Sequence, residues 1–221
     1  RGLGEVDKRQ RIAMAKAENQ LRYVLRATRS RPDEKRPSEI EEGIGRLRQQ
    51  LASLAKIIAG ADFASDKNHQ GLGQDGVSIS PVDVIRGHEG MAGKEYFSIM
   101  PLILNLPPDN FLYFHGRNRR PPNDPFNALL SFGYALLYRD CVAALLAVGL
   151  EPALGIMHTP RSAAYPLALD LMEIFRVIMW DMPLVGSVNR KQWNKDDFEI
   201  TRNQVWLNPE GRRKAIRLYE S

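Results

Sequence analysis

Asp170, Glu173 and Arg176 stand three apart in a run from Leu167 to Met179 that is otherwise almost wholly apolar. At helical pitch they fall on one slowly drifting stripe. Carboxylates carried on an apolar face are costly unless they are paired or hold a cation. Two chemistries meet that demand: an ion-pair ladder closed by Arg176 and facing a wet cleft, or a metal site. His158 lies in the loop before this run, and Gly155-Ile156-Met157 delivers it to the mouth of the same helix. A loop imidazole beside a helix carboxylate is a reasonable cation site, although a lone His is also a common hydrogen-bonding residue. Glu89 is the third candidate, set among Gly87, Gly90 and Gly93. Each glycine costs a helix about 1 kcal/mol relative to Ala. Such residues suit a place where another helix, or a ligand, must come close. The chain has no His-Glu-x-x-His and no Gly-Lys-Ser phosphate loop. Its single cysteine, Cys141, excludes a thiolate zinc site and an internal disulfide.

Helices must position these groups. Residues 8–29 have helical spacing, with Ile12, Ala15, Asn19 and Tyr23 on one line and Leu21, Val24 and Leu25 beside it. Two prolines break the pattern over residues 30–38. A second helix is expected from Glu39 to Ala59, turning Ile44, Leu47, Leu51, Leu54, Ile57 and Ile58 inward, and the two form an antiparallel hairpin. Residues 64–79 read as a loop. Ser80-Pro81-Val82-Asp83 then starts a helix with a capping box, ending near Pro101. Residues 105–125 are a long loop holding Arg117, Arg119 and Arg120, with a short extended piece at Phe111-Leu112-Tyr113-Phe114. Asp124-Pro125 opens an apolar helix that Gly149 stops near Val148. Asn127, Ser131, Arg139 and Asp140 interrupt it, so it reads as the central helix of a bundle rather than a membrane span. The acidic helix runs from Pro166 to about Trp180. Residues 186–208 read as polar and irregular, and Asn208-Pro209 starts a last helix.

The chain's 221 residues, 43% hydrophobic and 26% charged, suit one globular domain with an arm. Collagen, a coiled-coil rod and a disordered chain are excluded. The net charge of +5 is uneven. Residues 1–60 carry about +6, residues 61–185 about −4 and residues 186–221 about +3. Basic ends suit a polyanion and an acidic middle suits a cation, although solvated helix faces would produce the same pattern. No N-terminal signal precedes the first charged helix, and the expected compartment is a reducing cytoplasm.

Five blocks in order carry a resemblance. Lys16 with Asn19-Gln20 is similar to a linker helix. Arg86-Gly87-His88-Glu89-Gly90-Met91-Ala92 with Tyr96-Phe97, the run from Arg119 to Ser131 with Tyr134, Gly149-Leu150-Glu151-Pro152 with Gly155-Ile156-Met157-His158, and Leu169 to Arg176 follow. Together they resemble the CRISPR-associated Cas-one integrase family.

The resemblance implies a mainly α fold, the helical-bundle catalytic domain of that family, whose N-terminal β-domain is expected to be absent from this chain. Residues 1–60 would be a basic hairpin leading into a catalytic domain over residues 61–221. It implies Glu89, His158 and Asp170 as ligands of Mg²⁺ or Mn²⁺, with Glu173 as a second acid near the ion. Arg161 and Arg176 would steady the phosphate or the acids, and Arg117, Arg119 and Arg120 with the first helix would contact DNA phosphates. The implied reaction is insertion of prespacer DNA into a CRISPR array by attack of a 3′-hydroxyl on a phosphodiester, falling off at acid pH as His158 protonates. The implied partners are DNA, a second copy of the chain, a Cas-two dimer and a Cas-four nuclease, fused or separate, in a prokaryotic cytoplasm without a membrane. A non-catalytic DNA-binding scaffold and a phosphodiesterase for branched DNA are the competing readings.

Overall fold

The computed structural model describes residues 2–29, 35–58, 80–118, 121–158 and 165–221. The expected loop at residues 64–79 lies outside them. The elements are α1 (Gly2–Ala27), α2 (Ser38–Ile58), α3 (Pro81–Ile103), α4 (Pro125–Ala147), α5 (Pro166–Arg176), a π turn (Val177–Asp181), α6 (Met182–Asn189), a 3-10 turn (Lys195–Asp197), β1 (Phe198–Ile200), β2 (Val205–Leu207) and α7 (Pro209–Tyr219). The mainly α expectation holds. Two compact units divide between Tyr96 and Phe97, inside α3.

In the first unit α1 and α2 are antiparallel. Gln10 near the start of α1 donates to the Leu54 carbonyl near the end of α2, and Arg36 before α2 donates to the Thr28 carbonyl just past α1. The buried residues of α1 are Gln10, Ala13, Lys16, Ala17, Gln20, Tyr23 and Val24; of the expected line Tyr23 is buried, while Ile12, Ala15 and Asn19 are only partly so. Small and amide-bearing side chains stand among them, and the Gln10 amide finds its partner in the Leu54 carbonyl. On α3 the Ser80 hydroxyl accepts from the Asp83 backbone N–H at 3.2 Å and donates to the Asp83 carboxylate at 2.7 Å. That contact holds the Asp83 carboxyl below its usual range.

In the second unit α4 packs against α5, the π turn, β2 and α7. Asp124 caps α4, accepting from the Asn127 backbone N–H at 2.7 Å, and Gly149, at φ +75°, lies just beyond its last turn. Pro125 to Leu130 are buried all round, and Gly133, Tyr134, Leu137, Cys141 and Leu145 continue as one core face. Leu146 and Val148, at its end, are exposed. Tyr219 on α7 donates to Asp140 at 2.9 Å, which places one of the polar interruptions in an interhelical contact. Phe111 to Phe114 form turns and coil, not an extended piece; Phe114 instead packs between Phe97 and Phe126, at 6.1 and 5.0 Å between ring centroids.

Burial, with the Asp140 charge beside it, pushes the Cys141 thiol up to about 11. Only the thiolate reacts. Iodoacetamide at pH 8 should therefore label Cys141 roughly a hundredfold more slowly in the folded protein than in urea. Equal rates would contradict this packing.

The acidic helix does not stop at Trp180. Pro183 has no N–H for the carbonyl four residues back, and the backbone meets that loss with the π turn before continuing as α6. The turn places Trp180 fully inside, its indole donating to the Leu129 carbonyl at 3.0 Å. A Cβ on Gly133 would collide with that indole ring. Gly133→Ala should cost at least about 1–3 kcal/mol in urea unfolding. An unchanged midpoint would show that the two are not in contact.

The tail is more ordered than its composition implies. β1 and β2 pair antiparallel with Phe198 opposite Leu207 and Ile200 opposite Val205. Strands of three residues are too short to display an alternating pattern. Asn194 and Asp197 form a reciprocal cap before β1, and Lys214 of α7 binds Asp197 at 2.6 Å. Asn208 caps α7 as expected, accepting from the Gly211 N–H at 2.8 Å.

Candidate active site

The loop before α5 and the first turns of α5 form one construction. Pro166 opens the helix, the Leu167 N–H donates to the Pro152 carbonyl at 3.0 Å, and the Tyr165 N–H donates to the Tyr138 hydroxyl at 2.7 Å. A Cβ on Gly155 would collide with Pro166 and with the His158 carbonyl, so the loop can lie on the helix only with glycine there. The loop then turns three successive N–H groups toward Asp170. Its Oδ2 accepts from Ile156 at 2.5 Å and Met157 at 2.9 Å, and its Oδ1 accepts from His158 at 3.1 Å. The fourth contact is from the His158 ring, with Nδ1 2.7 Å from Oδ1.

Asp170 is 1% exposed, and these four donors satisfy both its oxygens. This is a backbone nest closed on a carboxylate, which makes burial of the charge tolerable. Asp170, expected as a metal ligand, here accepts from the loop N–H groups and lies against the imidazole. His158 is its complement. Its side chain is 41% exposed, and a carboxylate has no proton to give, so the shared proton belongs to Nδ1.

Glu173 and Arg176 face another way. Arg176 Nη1 binds Glu173 at 2.7 Å, with the guanidinium 4.2 Å from the centroid of the Tyr134 ring and 5.9 Å from that of Phe97. Tyr134 donates to Asp181 at 2.6 Å, and Asp181 is fully buried. Burial alone would lower the Arg176 pKa. Glu173, Tyr134 and Asp181 outweigh it and hold the guanidinium well above its ordinary value. Burial drives the Tyr134 hydroxyl strongly upward, so it remains a donor. Arg176 is 3% exposed and paired with Glu173.

Arg117 is likewise turned inward. It binds Asn127 at 2.8 Å and Ser131 at 3.3 Å and lies 5.5 Å from the Tyr134 centroid. Asn127 is fully buried and also receives the Asn118 N–H, tying the loop to α4. The cluster of arginines expected to touch DNA is therefore divided. Arg117 serves packing, while Arg119, Arg120 and Arg161 lie outside the described residues.

In the first unit Glu89 is on α3, its side chain 24% exposed, and the Lys16 ammonium of α1 binds its carboxylate. Lys16 is itself buried. The motif containing Lys16 does not disclose this partnership. The signal for it is a basic residue next to Ala13 and Ala17 on the buried face of α1. Tyr134 and Asp181 are the other members that spacing missed, because they come from α4 and the π turn.

Among the described residues, no three His, Cys, Asp or Glu side chains are grouped closely enough to hold a metal ion. The structure does bring His158 and Asp170 together. The available donor types, an imidazole nitrogen and carboxylate oxygens without thiolate, fit Mn²⁺ or Mg²⁺ in kind.

The family profile described as "CRISPR associated protein Cas1" matches residues 6–221. A Leptospira interrogans protein described as a CRISPR-associated exonuclease Cas4/endonuclease Cas1 fusion is 48% identical over 96% of this chain and 34% of that protein. A CRISPR-associated endonuclease Cas1 from the same species is 33% identical over 95% of this chain and 73% of its own length. The chain thus spans about a third of the fusion relative. Among solved structures, a chain of a partial Cas6-RT-Cas1–Cas2 complex superposes with a TM-score of 0.76 at 25% identity, covering all of this chain and 58% of that one. A casposase bound to integration product shares the fold, with a TM-score of 0.64 at 22% identity over 99% of this chain and 52% of that one.

Proposed function

Because this chain belongs to the Cas1 family of CRISPR-associated proteins, we propose that it carries the catalytic part of a metal-dependent DNA endonuclease and integrase of CRISPR adaptation. The observation that carries this reading is the His158–Asp170 pair, a half-exposed imidazole with Nδ1 2.7 Å from a buried carboxylate. In the reaction a DNA 3′-hydroxyl oxygen attacks a phosphodiester. A new P–O bond forms, the old one breaks, and the departing 3′-oxygen takes the electron pair and, in the net reaction, the proton that the attacking hydroxyl gives up, so one ester replaces another. Mg²⁺ or Mn²⁺, when bound, would supply Lewis-acid stabilisation of the charge that develops on phosphorus's oxygens. Glu89, His158 and the acids of α5 would supply its surroundings. His158 must be neutral to donate a lone pair, which ties activity to pH.

DNA contact is proposed for Arg119, Arg120 and Arg161 and for the exposed basic residues of α1. Phosphate contacts position the duplex without reading its sequence, so affinity should fall steeply with salt. The relatives' names and complexes support a Cas2 partner and a Cas4 nuclease, fused or separate; a second copy of the chain is proposed beside them.

The test is transfer of a labelled 3′-hydroxyl duplex into a supercoiled plasmid bearing a CRISPR repeat, with Mn²⁺ or EDTA, and with or without a Cas2 partner. Label joined to plasmid only with Mn²⁺ supports the reading. DNA binding with neither transfer nor nicking in any arm would favour the scaffold.

A further inference from the structure

The fold treats its three tryptophans differently. Trp180 and Trp193 are buried, and each indole N–H has a partner, the Leu129 carbonyl and the Ser187 hydroxyl. Trp206, the middle residue of β2, is 45% exposed, and among the described residues nothing accepts from its indole. Its neighbours Val205 and Leu207 are buried, so the indole lies on the outer face of the hairpin. Tryptophan is enriched at binding surfaces, where it adds a large contact area with few rotatable bonds to order.

The ring stands on a fixed support. Glu199 pairs with Trp206 across the strands, the Thr201 N–H donates to the Gln204 carbonyl at 2.9 Å, and the Val205 N–H donates to the Pro122 carbonyl at 2.8 Å. Beyond β2, the Asn208 N–H donates to the Asp197 carbonyl at 3.1 Å. Positive charge flanks the strand at both ends. Arg202 lies in the turn before β2, and Arg212 donates to the Leu207 carbonyl at 2.8 Å. Both are exposed, and neither meets an acid among the described residues, whereas Arg213 is paired with Glu210. Glu199 shares the outer face with the indole, so that face suits a neutral ring rather than a phosphate. An aromatic face with cations on either side is the arrangement that holds single-stranded nucleic acid, with a base on the ring and phosphates on the cations.

We propose that Trp206 is a stacking platform for an unpaired base of single-stranded DNA, with Arg202 and Arg212 taking the flanking phosphates. This rests on the DNA-acting reading above and adds to it a contact for unpaired strand, made by residues that reading does not use.

The measurement is fluorescence anisotropy of the intact chain with three labelled probes at one fixed salt concentration. The probes are an oligothymidylate of about 15 nucleotides, an abasic strand of the same length and a duplex. Wild type should bind the oligothymidylate more tightly than the abasic strand. Trp206→Ala should weaken oligothymidylate binding roughly tenfold to a hundredfold and leave the other two probes unchanged, while Trp206→Phe, which keeps a ring, should recover most of the loss. Thermal melting checks that the variants are folded. A second reading needs no variant: unlabelled oligothymidylate should quench the wild-type tryptophan emission, and the abasic strand should not. Oligothymidylate held no better than the abasic strand, or equally well by wild type and folded Trp206→Ala, overturns the inference, and duplex binding in the same experiment leaves the DNA-acting reading standing. Loss of Cas2 binding in Trp206→Ala with oligothymidylate affinity unchanged assigns the ring to protein docking and overturns the inference as well. Failure of wild type to bind any probe removes the inference together with the DNA-acting reading.

Discussion

Mn²⁺-dependent strand transfer by His158→Ala should fall about a thousandfold, with the folded structure retained. The side chain is 41% exposed and its ring packs on the surface of α5, so truncation opens no core cavity. Its loss takes away the one nitrogen donor of the proposed site. A Lewis acid contributes several kcal/mol to a phosphoryl transition state. At about 1.4 kcal/mol per decade, losing about 4 kcal/mol corresponds to about a thousandfold in rate. The assay is label joined to a repeat-bearing plasmid, with thermal melting as the control. DNA binding should be almost unchanged, because phosphate contacts come from the arginines and lysines. A variant within tenfold of wild type would remove His158 from the chemistry.

Arg176→Met should produce the largest loss of stability. The substitution keeps much of the volume but removes the cation from a site that is 3% exposed. Glu173 then loses its 2.7 Å ion pair, and the fully buried Asp181 loses the nearby positive charge while keeping its bond from Tyr134. Breaking a buried pair from one side costs about 3–5 kcal/mol. For a chain of this size that is a fall of about 10 °C in Tm. Arg176→Lys should fall between, since an ammonium keeps the charge but neither the planar fork toward Glu173 nor the stacking on the Tyr134 ring. Replacing Glu173 and Arg176 together with methionine should recover part of the loss, because apolar replacement of both partners is often close to neutral. A Tm change under 2 °C for Arg176→Met would show that the cluster is solvated.

The helix starts at Ser80-Pro81, Asp124-Pro125 and Asn208-Pro209 could be read directly, since a cap is made by residues within one turn of each other. The stop at Gly149 was legible for the same reason. The buried line of α1 was not, because Gln10 and Lys16 count as polar until their partners, the Leu54 carbonyl and Glu89, arrive from α2 and α3. Nor was the hairpin at 198–207, whose strands are shorter than any period they could show. The arginines near residue 117 were legible as charge and not as position. Asn127 and Ser131 drew Arg117 inward, and nothing in a count of basic residues contains that.

The acidic stripe shows where the two kinds of information part. Steps of three residues at 3.6 per turn rotate about 60° each time, so Asp170 and Arg176 point about 120° apart. The order of residues therefore established that two carboxylates, an arginine and an upstream histidine would be carried by one helix and its leading loop, and the five blocks together placed the chain in its family. It did not divide their tasks. The divided tasks came from neighbours remote in the chain: a loop folded back by Gly155 took Asp170 and joined it to His158, while Tyr134 of α4 and Asp181 of the π turn enclosed Arg176 with Glu173. Residue type and spacing decide which charges an element must carry into a low-dielectric interior. Only the tertiary structure decides which donor reaches each of them, because a hydrogen bond is won or lost over a few tenths of an ångström.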